Sequence, residues 1–367
     1  MKTIFVVGVR GIPDVEGGVE KCAEQIFPRA VSDGWRVVLV GTGNHVKSCD
    51  FKGVELLQTP ALRFLKTDKL LSYVCALFLA ARLRPDIVHL MGLGSALFLG
   101  IYKILGFKIV VRYGSADYLI PKWGRIGRFG FLLAEWQLRW ADAIIVVTPA
   151  LVQRLKAKGI TKNIHLIPNA IDQIKALPPQ SDHKLYGPYI LTVGRITPQK
   201  NYLSLVRAFS NLANAQSNIR LVIAGGVDDR NYMRQISPFL CDQITMTGQI
   251  PRAKLAALYE GAKLFINCSV HEGHSNAVLE AISWNCPILL SDIPENRDLE
   301  LGATHYFDPH NSKSVESAIA RVLASPARYR VAKTKFLNWD QVAAKTGQIY
   351  DDLLTNRASQ YHAEYRA

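Results

Sequence analysis

Glu272 and Glu280 stand eight residues apart in the stretch LFINCSVHEGHSNAVLEAISWNCPILLS, which runs from Leu264 to Ser291. Leu264 to Ser269 is an apolar run of strand character. The polar loop after it carries Glu272, Gly273 and His274, and a helical period begins at Ser275 or Asn276, followed by a second apolar run from Pro287. Strand, loop, helix, strand puts that loop at the carboxyl end of a strand. Open α/β sheets bind ligands there, and a helix N-terminus offers its free N–H groups to anions. A ligand lying across the helix start meets backbone amides first and a carboxylate on either side. Amides suit phosphate and carboxylates suit hydroxyls, so the pattern asks for a molecule carrying both, as a nucleotide-sugar does. The plain alternative is a pair of solvated carboxylates favoured by the helix macrodipole. Gly273 in the loop, Ser275-Asn276 at the cap, and small Ala277 and Ala281 on the helix weigh toward a ligand.

A second constellation is VGRITPQKN, where Arg195 follows a strand end and Lys200 comes five residues later. Gly194 allows close approach and Pro198 stiffens the loop. Arginine supplies a fork of donors and lysine a mobile point charge, a sensible clamp for a diphosphate. Two solvated loop cations are the alternative. A third segment, GVRGIPDVEGGVEK, is Gly-rich between a strand and a helix. Gly8 and Gly11 are three apart and Gly17-Gly18 come late, so it is not the dinucleotide fingerprint, and a nicotinamide or flavin cofactor is disfavoured. A plain strand-to-helix turn is the alternative here.

Metal chemistry finds no support. No two aspartates stand two residues apart, and there is no H-E-x-x-H or His/Cys cluster. Asp228-Asp229 read as solvated loop acids. The expectation is no cofactor and no metal, with Arg195 and Lys200 supplying the electrostatic stabilisation.

EGHSNAVLEA resembles the E-x7-E signature of the family 4 glycosyltransferases, retaining enzymes of the GT-B fold. Gly194, Arg195, Lys200 and Asn201 match that family's second motif, G-R-x(4)-K-[GN]. The resemblance implies that Glu272 binds hydroxyls of a donor sugar and Glu280 its nucleotide ribose. It implies backbone amides around His274, Ser275 and Asn276 near the diphosphate, with His274 touching the sugar or bracing the loop. Arg195 and Lys200 would stabilise charge on the leaving nucleoside diphosphate, and amides at Gly17 and Gly18 would approach the donor phosphates. The segments V-x-x-R-G-I-P…GG and KWG…ADAIIVVTPAL resemble bacterial rhamnosyltransferase-like members that assemble cell-surface polysaccharide. The resemblance covers nearly the whole chain and is weakest from Gly41 to Arg84. One departure stands out: where many members carry His-Gly near residue 113, this chain has Tyr113-Gly114, followed by Asp117. Asp117 or Tyr113 is expected to take the polar role of that His, with His89, in DIVHLMG, a lesser candidate.

These residues need a scaffold. A chain of 367 residues exceeds what one core fills, and 49% hydrophobic with 20% charged residues describes a globular protein. Strand patterns at Thr3–Val7, Val37–Val40, Ile87–Leu90, Lys108–Val111, Ala143–Val147 and Ile164–Ile167 alternate with helical ones, including Gly18–Ser32. Pro168–Ser181, with three prolines, reads as a linker. A second series follows: Tyr189–Val193, Arg220–Ala224, Gln243–Thr247, Leu264–Asn267 and Ile288–Leu290. Asn338–Leu354 reads as a long helix. The expected fold class is α/β, GT-B, with two Rossmann-like doubly wound domains facing a central cleft. Residues 1–175 would form the acceptor-binding domain and 176–335 the nucleotide-sugar-binding domain. In line with the resemblance, 336–367 would carry a helix crossing back to the first.

Charge is uneven. Met1 to Lys175 holds 24 Lys+Arg against 13 Asp+Glu, a net of +11, while the remainder is +3. The first half therefore invites an anionic partner. No nucleic-acid-binding motif is present, which leaves an anionic membrane surface. Ala61 to Arg84 reads as a helix with cationic ends, and its apolar core is about 12 residues long, short of the ~20 that span a bilayer. Lys122, Trp123, Arg125, Arg128, Phe129 and Phe131 form a second basic-aromatic cluster; the alternative for both segments is a core helix with solvated ends. Six cysteines without C-x-x-C read as small core residues in a reducing compartment. The opening MKTIFVVGVRGIP is too short for a signal peptide. Cytoplasmic residence, with peripheral contact at the inner face of the membrane, is the expectation.

The functional expectation is transfer of a hexose or deoxyhexose from a nucleoside-diphosphate donor to a hydroxyl of a glycan or lipid-linked acceptor, with retention, in bacterial cell-surface polysaccharide synthesis. Alternatives are a GT-B sugar-nucleotide epimerase or phosphorylase, and a non-catalytic nucleotide-sugar-binding protein, which Tyr113 in place of His would support.

Overall fold

The computed structural model describes residues 1–61, 69–120, 123–174, 187–215 and 218–364. The chain divides into two compact units, Met1–Asn169 with Trp339–Ala367, and Ala170–Asn338. The first unit runs β1 (Thr3–Val7), α1 (Gly18–Ser32), β2 (Arg36–Thr42), β3 (Asp50–Phe51), β4 (Val54–Thr59), α2 (Leu70–Leu83) and β5 (Ile87–Met91). It continues through α3 (Leu99–Ile104), β6 (Lys108–Tyr113), α4 (Arg125–Gln137), β7 (Ala143–Val146), α5 (Pro149–Ala157) and β8 (Ile164–Leu166). The second unit runs β9 (Tyr189–Val193), α6 (Tyr202–Ala215), β10 (Arg220–Ala224), α7 (Arg230–Ile236), β11 (Ile244–Gly248) and α8 (Arg252–Gly261). Then come β12 (Leu264–Asn267), α9 (Asn276–Ser283), β13 (Ile288–Ser291), α10 (Pro294–Arg297), β14 (Tyr306–Phe307) and α11 (Ser312–Ala324). Helix α12 (Trp339–Glu364) rejoins the first unit.

Strands such as β1 and β9 are continuous Ile/Val/Leu-rich runs, and nearly every residue in them is buried. That is what a parallel sheet covered on both faces requires. The first sheet has the order β3-β4-β2-β1-β5-β6-β7-β8 and is parallel except for β3. The second has the order β11-β10-β9-β12-β13-β14 and is parallel throughout. In the second sheet the order reverses between β9 and β12; in the first it reverses between β1 and β5. Loops leaving the carboxyl ends of those strand pairs diverge, which opens the crevice where such sheets hold ligands.

Every expected strand is present within a residue or two, and α1 spans the predicted range. The edge strand β3, its neighbour β4 and the short β14 were not expected. Helix α2 begins at Leu70, and residues 62–68, with Arg63 and Lys66, lie outside the described residues. The expected linker is described only to residue 174; there the Ile171 N–H donates to Leu337 O at 2.9 Å, so the second unit's first and last segments lie side by side. Helix α12 is longer than expected. It is fixed in the first unit by an Arg29–Asp340 ion pair (2.7 Å), by Trp35 packed edge-on to Tyr350, and by a His89–Tyr350 hydrogen bond. Among the described residues no helix is long and apolar enough to cross a membrane.

Candidate active site

At the β9/β12 reversal two loops meet. Residues 194–201 leave β9, residues 268–275 leave β12, and they are tied together. The Val270 N–H donates to Gln199 O at 3.0 Å, and the Gln199 side-chain amide donates to His271 O at 2.8 Å. This brings Lys200 to Glu272. The Lys200 ammonium donates to Glu272 Oε1 at 2.6 Å, Ser269 Oγ donates to the same oxygen at 2.6 Å, and Asn267 Nδ2 does so at 3.1 Å. Glu272 is buried. Burial pushes its carboxyl upward, but the Lys200 charge and these three donors hold it below the ordinary carboxylate range. The carboxylate is thus ionised at neutral pH, with one oxygen fixed by three donors. Its other oxygen, Oε2, takes none of them and can accept a ligand hydroxyl.

Behind this group runs a buried polar ladder. Ser291 Oγ donates to the Ser269 carbonyl (2.5 Å), and Asn296 Nδ2 donates to the carbonyl and hydroxyl of Ser291 (2.9 and 3.0 Å). Next to Glu272, His271 Nδ1 faces Glu295 Oε1 at 3.0 Å. Asn267, Ser269 and the ladder were not among the expected site residues. Their signal was polar residues at strand positions that an all-apolar core would otherwise fill.

Arg195 does not stand free. It pairs with Asp228 at 3.2 Å, on the loop after β10, with about half of its side chain exposed. Asp229 caps α7, accepting from the N–H groups of Asn231 (2.9 Å) and Tyr232 (3.0 Å). Asp228 is an exposed loop acid, as expected, and pairs with the arginine, while Asp229 is half-buried and starts a helix. The two cations expected to clamp a diphosphate are each held by a carboxylate of the chain. A ligand must share Lys200 with Glu272 and compete with Asp228 for Arg195.

Gly194 and Gly225 explain how these loops come so close. Both have φ of +151°, and a Cβ on Gly225 would lie 2.1 Å from Gly194 O. Only glycine fits. Tyr202, from the first turn of α6, donates its hydroxyl to that same Gly194 carbonyl at 3.0 Å.

Helix α9 starts at Asn276, with Ser275 as N-cap, and the serine side chain makes no capping bond. The loop that leads into it, Gly273, His274 and Ser275, is half-buried. One turn along, Glu280 accepts from Tyr259 Oη at 2.8 Å. Burial, reinforced by Glu280, pushes that phenol well above its usual range, so Tyr259 remains a donor. The second unit therefore presents, on consecutive segments, a fixed carboxylate, helix-start amides and a second carboxylate.

In the first unit the Gly-rich loop holds a residue that the sequence reading passed over. Glu20 is buried, and a Cβ on Gly17 would lie 2.0 Å from its Oε2. Its Oε1 accepts from Lys69 Nζ (3.2 Å) and from the Arg10 backbone N–H (3.2 Å), with the Arg10 guanidinium 3.9 Å away. Burial pushes this carboxyl up, and Lys69 and then Arg10 bring it below the usual range. Glu20 thus sits between two cations beside Gly17.

Two of the three candidates for the missing His are excluded. Tyr113 is wholly buried, and its hydroxyl donates to Glu135 Oε1 at 2.6 Å; the ring is part of the core. His89 is also wholly buried, with Nδ1 2.5 Å from Tyr350 Oη, and burial lowers its pKa to about 3. Asp117 remains: it is half-buried just past β6, accepting from Ser115 Oγ at 2.5 Å. Among the described residues no group of three His, Cys, Asp or Glu could hold a metal ion.

Residues 16–173 match the family described as Glycosyltransferase Family 4, and residues 160–336 that described as Glycosyl transferases group 1. The chain belongs to glycosyltransferase family 4. This glycosyltransferase is 27% identical over 265 residues to the GDP-mannose-dependent alpha-mannosyltransferase of Mycobacterium tuberculosis, which covers 67% of each protein. It is 25% identical over 224 residues to the serotype-specific mannosyltransferase WbdA of Escherichia coli, a match of 56% of this chain but only 27% of WbdA. Sucrose-phosphate synthase from Thermosynechococcus elongatus has a similar structure, with a TM-score of 0.78 at 20% identity over 97% of this chain and all of that one. The fold of this glycosyltransferase is GT-B.

Proposed function

We propose that this glycosyltransferase moves a hexosyl or deoxyhexosyl group from a nucleoside-diphosphate-sugar to a hydroxyl of a glycan or lipid-linked acceptor, with retention and without a metal. The observation that carries the reading is Glu272, ionised and fixed through one oxygen, beside the start of α9, where the N-cap serine makes no side-chain capping bond. Glu272 Oε2 accepts a hydroxyl of the donor sugar, the α9 amides hold its phosphates, and Glu280 accepts from the ribose. Lys200 and Arg195 offset the charge that builds on the leaving diphosphate. In the front-face displacement we favour, the C1–O(phosphate) bond breaks as the acceptor oxygen bonds C1 on the same face. The acceptor's proton passes to the departing phosphate oxygen, so the protein need supply no nucleophile.

Relatives named as GDP-mannose-dependent and serotype-specific mannosyltransferases support a nucleoside-diphosphate-hexose donor and a surface glycan product. The net +11 of the first 175 residues supports peripheral contact with an anionic membrane, where a lipid-linked acceptor would be met.

The test incubates the purified chain with radiolabelled UDP-, GDP- and dTDP-hexoses and a bacterial lipid extract. Label entering the lipid fraction is the expected result. Donor converted without acceptor indicates an epimerase, conversion only with inorganic phosphate a phosphorylase, and binding without turnover a sugar-nucleotide-binding protein. Any of these three overturns the proposal.

A further inference from the structure

Helix α4 is built inside out. Its buried face carries Glu135 and Gln137 alongside Ala134. Glu135 accepts from Tyr113 Oη (2.6 Å), from Tyr118 Oη (3.1 Å) and from Lys158. Gln137 accepts from the Gly100 N–H (2.8 Å) and donates to Leu97 O (2.9 Å). Five hydrogen bonds to the body of the first unit therefore fix the rotation of this helix about its axis.

The consequence is on the other side. Ile126, Phe129, Leu132, Leu133 and Trp136, with Trp140 in the turn that follows, are all exposed, Ile126 to 71% and Phe129 to 69%. Spacings of three and four residues put them on one face. Trp140 extends the face to α3, since a Cβ on Gly100 would lie 3.5 Å from its ring, and α3 adds exposed Ile101 and Ile104. Soluble proteins rarely leave so many large apolar side chains together in water.

Charge identifies the occupant. The exposed residues Arg125 and Arg128 make no ion pair among the described residues, and the Arg139 guanidinium lies over the Trp136 ring at 4.8 Å. The only acid on α4 is Glu135, and it is buried. A second copy of this chain seated symmetrically here would bring arginine against arginine with no acid to answer it. An anionic bilayer answers both features, taking Trp, Phe and Ile at the acyl boundary and arginine among its headgroups. At about 1.5 Å per residue α4 is roughly 20 Å long, too short to span and suited to lying in the plane of the surface.

We infer that the outer face of α4, continued onto α3, is the surface by which this protein docks on an anionic membrane, its apolar stripe entering the interface between flanking arginines. This rests on the membrane contact proposed above and specifies where it is made; it is independent of the transfer chemistry.

The test is co-sedimentation of the full chain with vesicles of phosphatidylcholine alone and of an equal mixture with phosphatidylglycerol. Two double variants accompany the wild type, Phe129→Ser with Trp136→Ser and Arg125→Gln with Arg128→Gln; all four side chains are exposed, so unchanged circular dichroism and melting are expected. Wild type should bind the mixed vesicles with a blue shift of tryptophan emission and bind phosphatidylcholine weakly. Each double variant should lose affinity, about 30-fold for the arginine pair at ~1 kcal/mol per cation. If wild type binds and both double variants bind equally well, the α4 assignment fails while membrane contact stands. If wild type does not bind, both fail. A dimer in sedimentation velocity that the Phe129/Trp136 variant dissolves, without vesicle binding, makes a second copy the occupant and overturns the inference.

Discussion

Lys200 Nζ lies 2.6 Å from Glu272 Oε1, and the two side chains come from different loops of one sheet, 72 residues apart in sequence. Their contact converts two loop signatures into one site: the lysine keeps the glutamate ionised inside the protein, and the glutamate fixes where the lysine stands.

Breaking that pair from the cationic side leaves a buried carboxylate without its charge partner. Lys200→Met should cost about 3–5 kcal/mol of stability, and Lys200→Met with Glu272→Gln much less than the two single changes added together. Urea denaturation of the four proteins measures this. Additivity within about 0.5 kcal/mol would mean that the pair is not coupled.

Asp228 draws Arg195 away from any incoming anion. Asp228→Asn should tighten nucleoside-diphosphate binding a few-fold, whereas Arg195→Ala should weaken it about tenfold or more. Stability should barely change in either, because the pair is largely exposed. Calorimetric titration with the free diphosphate separates the two signs.

The crossing of Gly194 and Gly225 ranks two substitutions. Gly225→Ala drives a methyl to 2.1 Å from a backbone oxygen, which cannot step aside. Gly194→Ala meets the Tyr202 hydroxyl at 3.0 Å and Lys200 Cε at 3.1 Å, side-chain atoms that can move. Both carry left-handed strain of about 1–3 kcal/mol. Thermal melting should therefore show Gly225→Ala as clearly the worse, and Gly194→Ala should also lower activity by displacing Lys200.

His89 gives the first unit a pH signature. Burial lowers its folded pKa to about 3 against an ordinary 6.5, so between these values the unfolded chain binds a proton that the folded one refuses. That contribution to stability is complete above pH 6.5 and is lost as pH falls toward 3, at up to about 1.4 kcal/mol per unit. His89→Gln should flatten the stability curve in that window. An unchanged slope would place the titration elsewhere.

Much of this was legible in the sequence, and what was missed follows a physical pattern. Long, two-sided apolar runs such as Thr3–Val7 and Tyr189–Val193 announce central strands, because burial on both faces leaves no polar position. The strand Val54–Thr59, next to the sheet edge, exposes Gln58 and half-exposes Glu55 and Leu57, so its pattern is diluted. Glu272, Lys200 and Arg195 stood out by type and spacing. Their partners could not be read: Asp228 lies 33 residues beyond Arg195, and only the crossing of the two glycine loops joins them. Tyr113 and His89 misled for the opposite reason. A polar residue at a strand end looks the same in sequence whether it faces a ligand or, as here, hydrogen-bonds a buried Glu135 or a helix that returns more than 250 residues later.

The most direct test of the central claim, that Glu272 holds the donor sugar, compares two affinities in one variant. Glu272→Gln and wild type are titrated by calorimetry with the active nucleoside-diphosphate-sugar and with the parent nucleoside diphosphate. The account predicts that the variant binds the diphosphate at least as well as wild type but loses tenfold or more of its affinity for the sugar-bearing form. Equal loss for both ligands, or loss for neither, would contradict it.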